Sequence, residues 1–107
     1  MGMQKIIHFP AAPPAWTKAR DLLAAQGRAL QIRMIDGQLA FPDEEPSELW
    51  RELRLSTPQG MITVQREANR LALVVWGNAD EGLRQQWNVL ASAFAEAGGG
   101  TVETAEV

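Results

Sequence analysis

Residues 53–76 read LRLSTPQGMITVQREANRLALVVW, which is three runs of alternating apolar and polar residues separated by two turn signals. Alternation with a period of two is typical of a β-strand that buries one face. The first turn signal is Pro58-Gln59, because proline favours the second position of a tight turn. A turn at this point predicts the cross-strand pairs Leu53 with Val64 and Leu55 with Ile62.

The second turn signal, Ala68-Asn69, extends the same apolar face to a third strand. It predicts the pairs Ile62 with Val75, Val64 with Leu73 and Arg66 with Leu71. One face of the sheet is therefore almost wholly aliphatic. A slip of one residue at either turn would move every side chain to the other face, so the agreement of the two turns predicts an antiparallel β-meander.

The segment before the meander is predicted to form a strand, a helix and a hairpin. Lys5–Phe9 has the pattern of a strand, and Pro13-Pro14 set the first turn of a helix from about Ala15 to Gln26. Asp36-Gly37 is a strong hairpin signal between two apolar runs. A two-residue loop there predicts that two pairs share one face, Ile32 with Phe41 and Met34 with Leu39.

A second helix and a polar tail are predicted after the meander. Asn78 with Glu81 has the spacing of a capping box. Apolar residues then recur at alternating spacings of four and three, which is typical of one side of a helix: Leu83, Trp87, Leu90, Phe94 and Ala97. Gly98-Gly99-Gly100 is predicted to end the helix, and residues 101–107 to form a flexible tail.

These elements predict an α+β fold with the order β-α-β-β-β-β-β-α. Each helix has one apolar side and the sheet has one apolar face, so both helices are expected on that face of an antiparallel sheet of five to six strands. The result is a two-layer architecture. Residues 3–100 are expected to form a single domain, because 107 residues enclose one hydrophobic core.

Composition narrows the classes of function. The chain has 46% hydrophobic residues, and it contains no cysteine, which excludes disulfides and thiolate metal sites and favours the reducing cytoplasm. The formal net charge of −3 argues against binding to nucleic acid. No apolar run is long enough to cross a bilayer, so no membrane partner is expected.

The face of the sheet opposite the helices is the first candidate for a functional surface. The predicted registers place on it a small patch that contains aromatic, aliphatic and basic residues, the types in which protein interfaces are enriched. The candidate interface residues are Ile35, Arg54, Met61, Val74 and Trp76. The primary hypothesis is therefore a non-enzymatic domain that contacts itself, as a homodimer, or another protein.

A pocket between helix and sheet is the second candidate. Trp16 and Trp87 fall on the apolar sides of the two helices and are expected in the core. Trp50 precedes the meander, where it either closes over the core or lines a groove between the acidic loop of residues 42–46 and the C-terminal helix. The alternative hypothesis is a carrier or sensor of small apolar ligands, with a pocket bordered by Trp50 and Phe94.

An enzyme is the third and weakest hypothesis. His8 is the only histidine and the first candidate for acid–base chemistry, but the sequence offers no partner for it. Asp43-Glu44-Glu45 lacks the spacing of a calcium loop, and no serine stands in a nucleophile motif. We therefore expect no catalytic residues, no cofactor and no metal.

Overall fold

A computed structural model describes residues 2–28, 30–76 and 79–106 of the chain. Seven strands and two helices follow one another along these residues. They are β1 (Gly2–His8), α1 (Trp16–Ala25), β2 (Gln31–Ile35), β3 (Gln38–Leu39), β4 (Glu52–Thr57), β5 (Gly60–Glu67), β6 (Arg70–Trp76), α2 (Glu81–Gly98) and β7 (Thr101–Glu106). The predicted α+β class is confirmed, with one strand more than the largest number expected.

The β-meander of β4, β5 and β6 forms in the predicted register. Leu53 pairs with Val64 across the first turn, and Val64 pairs with Leu73 across the second. The apolar side chains of this face are fully buried: Leu53, Leu55, Ile62, Val64, Leu73 and Val75. The alternating pattern therefore corresponds to one covered and one open face of the sheet, as two-layer packing requires.

All seven strands belong to one antiparallel sheet in the order β3-β2-β4-β5-β6-β1-β7. The first strand of the chain lies between β6 and β7, so it is an interior strand. Its residue Ile7 pairs with Leu71 on one side and with Val102 on the other. The two ends of the chain thus meet in the sheet, although they are far apart in sequence.

The expectation of a flexible tail over residues 101–107 is corrected by β7. Thr101–Glu106 pairs with β1 from His8 to Met3, and Val107 lies outside the described residues. A polar segment can form this strand because the stabilising groups are backbone N–H and C=O groups, which β1 would otherwise leave unpaired. Composition alone does not reveal such a strand.

Both helices end as the sequence predicts, but α2 begins differently. Its N-cap is Asp80, whose Oδ1 accepts a hydrogen bond from the backbone N–H of Leu83 at 2.8 Å. The cap predicted at Asn78 lies outside the described residues. At the other end, Gly99 adopts a left-handed conformation with φ of 67°, which glycine tolerates without strain.

The hairpin of β2 and β3 follows the prediction at its turn only. Asp36 and Gly37 both have positive φ, as a two-residue hairpin loop of this kind requires, and Met34 pairs with Leu39. The strand β3 then ends, and Phe41 is 74% exposed while Ile32 is fully buried. The predicted shared face of Ile32 and Phe41 is therefore wrong, because the partner strand is too short to reach Phe41.

A single core fills the space between the helices and the sheet. The helix α2 packs on β1, β5, β6 and β7, and α1 packs beside α2. Trp87 of α2 donates a hydrogen bond from Nε1 to the carbonyl oxygen of Leu73 at 2.9 Å, so its buried N–H is satisfied. Among the described residues, no polar or charged residue is buried and neither helix is long and apolar enough to span a membrane.

Candidate functional site

The open face is the face of the sheet opposite the helices. Its side chains alternate with core residues along the central strands, and they are exposed or half-buried. Among them are Gln4 and Ile6 of β1, Arg54 of β4, Met61, Thr63 and Gln65 of β5, and Ala72, Val74 and Trp76 of β6. No described element packs over them, so this face is available for contact with another molecule.

One end of the open face is apolar. Thr63 pairs with Val74, and the same register continued by two residues places Met61 opposite Trp76. The side chain of Trp76 is 67% exposed and that of Met61 is 44% exposed. Three of the five predicted interface residues, Met61, Val74 and Trp76, therefore lie together on one surface, which we call the Trp76 patch.

Arg54 borders this patch, whereas Ile35 does not belong to it. Arg54 pairs with Thr63 in the sheet, and its Nε donates to a carboxylate oxygen of Glu52 at 3.3 Å. Ile35 instead packs against the core, because a β-bulge shifts the register of β2 between Ile32 and Met34. The placement of Ile35 on the open face, predicted from strict alternation, is thus corrected.

The other end of the open face is charged. Arg70 donates to Glu67 at 3.1 Å, and Nε2 of His8 lies 3.3 Å from Oε2 of Glu103. His8 and Glu103 stand on neighbouring strands, and both side chains are more than half exposed. The structure thus supplies His8 with a carboxylate neighbour that the sequence did not indicate, since Glu103 belongs to the segment expected to be a tail.

A cleft of about 360 Å³ opens at the edge of the covered face. It lies between residues 12–16, where α1 begins, and residues 46–50, which precede the meander. Trp50 lines this cleft, yet it is only 2% exposed and also belongs to the core. Trp50 therefore has both roles that were considered from the sequence: it belongs to the core and it lines a groove. The opposite wall of this groove is the start of α1, not α2.

Phe94, the other predicted pocket residue, does not line the cleft. It is fully buried, and its ring centroid lies 5.9 Å from that of Trp16, which does line the cleft. Phe94 therefore supports the inner wall from behind. The structure separates the two predicted pocket residues because Phe94 faces the middle of the core, while Trp50 lies at its margin.

Sequence reasoning did not identify Arg66 as a residue of this cleft. Its guanidinium carbon lies 5.0 Å from the centroid of the Trp50 ring, and its side chain is half-buried. The observed pairing of Arg66 with Leu71 places it on the covered face. A charged residue in an otherwise aliphatic register is the signal that points to this position, because burial of an ionised group needs compensation.

Asp36 is the ionisable group whose electrostatic environment is most clearly defined. Its Oδ1 accepts hydrogen bonds from the backbone N–H groups of Glu52 at 2.9 Å and Arg51 at 2.7 Å. These bonds, aided by the positive charges of Arg51 and Arg66, hold the pKa of the Asp36 carboxyl below its usual range. The carboxylate therefore joins the hairpin loop to the start of β4, which is a structural role.

No protein-family model matches the sequence, and comparisons with curated proteins and with solved structures give no significant match. Within residues 2–28, 30–76 and 79–106, no three or more histidine, aspartate or glutamate side chains are grouped closely enough to hold a metal ion. The Trp76 patch and the cleft are the two surfaces whose geometry supports a functional argument.

Proposed function

We propose that the protein is a non-enzymatic domain that acts through protein contact and forms a homodimer through the open face. The observation that supports this proposal is the exposure of Trp76, at 67%, beside the partly exposed Met61. Tryptophan carries a large apolar surface and is the residue most enriched at the energetic centres of interfaces. Since the chain has no cysteine, we propose the reducing cytoplasm as its location.

A second copy of the chain is the partner that the charge pattern favours. The Trp76 patch has no charge of its own, and the guanidinium of the bordering Arg54 is paired with Glu52 within the same chain. A two-fold axis through such a patch brings apolar groups onto apolar groups. The patch itself is therefore compatible with a second copy of itself, and the nearby Arg33, which donates to Ser56 Oγ at 3.2 Å beside Met61, lies at its border.

The dimensions of the open face set how much of it the proposed dimer uses. Five neighbouring strands, β4, β5, β6, β1 and β7, have six to eight residues each. From ordinary strand spacing and rise, they form a surface roughly 20 Å wide and roughly 20 Å long. A stable interface of standard size buries about 800 Å² of accessible surface per partner, which is about twice this flat area, so the proposed dimer uses the whole open face and the relief of its side chains.

Sedimentation velocity over a range of protein concentrations tests the proposal with two matched variants. Trp76→Ala removes the centre of the patch, and we expect it to raise the dimer dissociation constant about 30-fold, equivalent to about 2 kcal/mol. Phe41→Ala is the control, because Phe41 is 74% exposed but lies in the loop after β3. We expect this control to leave the dissociation constant unchanged.

Two results would contradict the homodimer. The first is a wild-type chain that sediments as a monomer at every concentration. The second is a dimer whose dissociation constant changes equally in Trp76→Ala and Phe41→Ala, since loss of any exposed ring would then explain the effect. Urea unfolding of both variants should be measured in parallel. We expect the free energy of unfolding of the isolated monomer to change little in either variant, because both side chains are exposed.

A further inference from the structure

The cleft beside Trp50 has apolar walls. Its inner surface contains the indole rings of Trp16 and Trp50, both almost completely buried. Pro13 and Pro14 line it from the segment before α1, and Leu49 lines it from the loop before the meander. Rigid proline and indole surfaces favour a flat or compact apolar ligand, because little side-chain entropy is lost on binding.

Arg66 adds a cationic group to this apolar cleft. Its guanidinium lies over the Trp50 ring at 5.0 Å, an arrangement that shields one side of the guanidinium plane from water. Within the described part of the chain, the Arg66 side chain has no carboxylate within 4.0 Å and no hydrogen-bond acceptor. The N–H donors of this half-buried guanidinium thus have no protein acceptor within hydrogen-bond distance among the described residues, and its charge interacts with the Asp36 carboxylate only over a longer distance.

We infer that the cleft binds a small organic acid whose apolar body lies against the prolines and indole rings and whose carboxylate pairs with Arg66. A carboxylate matches the planar guanidinium with two parallel hydrogen bonds, which is the geometry that arginine recognises best. The volume of about 360 Å³ lies within the range of small-molecule sites. This site is separate from the open face and does not depend on the homodimer.

Glu48 allows the charge preference of the cleft to be tested by an increase as well as a decrease in affinity for an acid. It is the only carboxylate among the described lining residues, it is exposed, and it forms no ion pair with Arg66. Its negative charge opposes the approach of an anion, whereas the positive charge of Arg66 favours it. Removal of the two charges should therefore change the affinity for an acid in opposite directions.

Phenylacetate and phenylacetamide are the probes, because they have nearly the same shape and differ in charge. The readout is the ¹H–¹⁵N signal of each tryptophan indole during titration. We expect saturable shifts of the Trp16 and Trp50 signals, little change at Trp76, and an affinity for phenylacetate about tenfold higher than for phenylacetamide. Of the four tryptophans of the chain, Trp16 and Trp50 line the cleft whereas Trp76 and Trp87 do not, which locates the binding site.

Three variants test whether the preference for phenylacetate over phenylacetamide arises in the cleft. Arg66→Gln should reduce the ratio of the two affinities to about one, because the charge-assisted pair is lost. Glu48→Gln, in an exposed loop where folding is not at risk, should raise the affinity for phenylacetate. Arg84→Gln is the control: it removes an equal charge from an exposed position of α2 that does not line the cleft, and we expect the ratio to stay at the wild-type value.

N-acetylphenylalanine distinguishes the two natural sources of such a ligand. If it binds more tightly than phenylacetate, the cleft recognises the carboxy terminus of a peptide; if it binds more weakly, the ligand is a free small acid. The inference is overturned if neither acid shifts the Trp16 and Trp50 signals. It is also overturned if phenylacetate and phenylacetamide bind equally well, or if Arg66→Gln leaves their affinity ratio unchanged.

Discussion

Leu73 and Val74 are neighbours in β6, but their side chains lie on opposite faces of the sheet and have different surroundings. Leu73 is fully buried under α2, and its carbonyl oxygen accepts the hydrogen bond from Trp87. Val74 is half-buried on the open face, with Thr63 and Gln4 as its cross-strand neighbours. The covered face thus packs against helices of the same chain, whereas the open face contacts solvent or a partner.

The tryptophans show the same contrast. Trp87 is buried, its N–H is bonded, and the ammonium group of Lys5 lies 4.6 Å from its ring centroid. Trp76 leaves most of its side chain in water. This difference predicts that changes on the covered face alter folding, whereas changes on the open face alter the proposed association. The two properties can therefore be measured independently.

The largest effect is expected from Leu73→Ala. Loss of three heavy atoms in a closely packed core removes apolar burial and leaves a cavity, which costs about 2–5 kcal/mol. That cost is a large fraction of the stability of an ordinary domain, about 5–15 kcal/mol. Urea denaturation followed by tryptophan fluorescence measures it. A change below about 1 kcal/mol would show that the covered face relaxes around the cavity and would weaken the contrast.

A matched pair of isosteric substitutions tests the contrast more directly. Val64→Thr puts a hydroxyl group on the covered face without a hydrogen-bond partner, and we expect it to cost about 1–3 kcal/mol. Val74→Thr puts the same group on the open face, where water can reach it in the monomer, and we expect it to reduce the free energy of unfolding of the monomer by less than about 0.5 kcal/mol. Equal unfolding free energies for the two variants would contradict the assignment of covered and open faces.

A substitution at the exposed Asp36 tests whether exposure of a side chain is enough to predict a small effect on stability. Its pKa is lowered in the folded state by the N–H groups of Glu52 and Arg51, so its contribution to stability is present above the unfolded-state pKa. The contribution is lost as pH falls through the folded-state pKa. Asn tolerates the positive φ of this position. We therefore expect Asp36→Asn to lower stability modestly at neutral pH and to weaken the acid dependence.

Urea midpoints measured between about pH 7 and about pH 3 compare the two proteins. The stability difference between wild type and Asp36→Asn should shrink as the pH falls. A difference that stays constant over this range would show that the Asp36 carboxylate does not contribute through its charge. The effect would then come from hydrogen-bond geometry alone.

The meander and the apolar side of α2 were predictable because their determinants are local. Two tight turns set the pairing of β4 with β5 and of β5 with β6, and a shift of either register would bury polar residues. The stripe from Leu83 to Phe94 follows from helical periodicity, and its members are buried. In each case, the residues that determine the structure are close together in the sequence.

The strand β7, the bulge in β2 and the cleft were not predictable in the same way. β7 pairs Thr101 with His8 through backbone groups that every residue has, so its polar composition contains no sign of pairing. The bulge moves Ile35 to the core face without a glycine or proline to mark it. The cleft joins residues 12–16 to residues 46–50, and Arg66 completes it from β5.

The sequence by itself determined the fold class, the meander register and the two faces of the sheet, because each depends on hydrophobic periodicity and on turns between adjacent segments. Only the tertiary structure decided the strand order, the interior position of β1 and the pairing of its free side with β7. It also decided that Trp50 and Arg66 meet in a cleft. These features depend on contacts between distant segments, whose free energies become favourable only after the local elements have packed together.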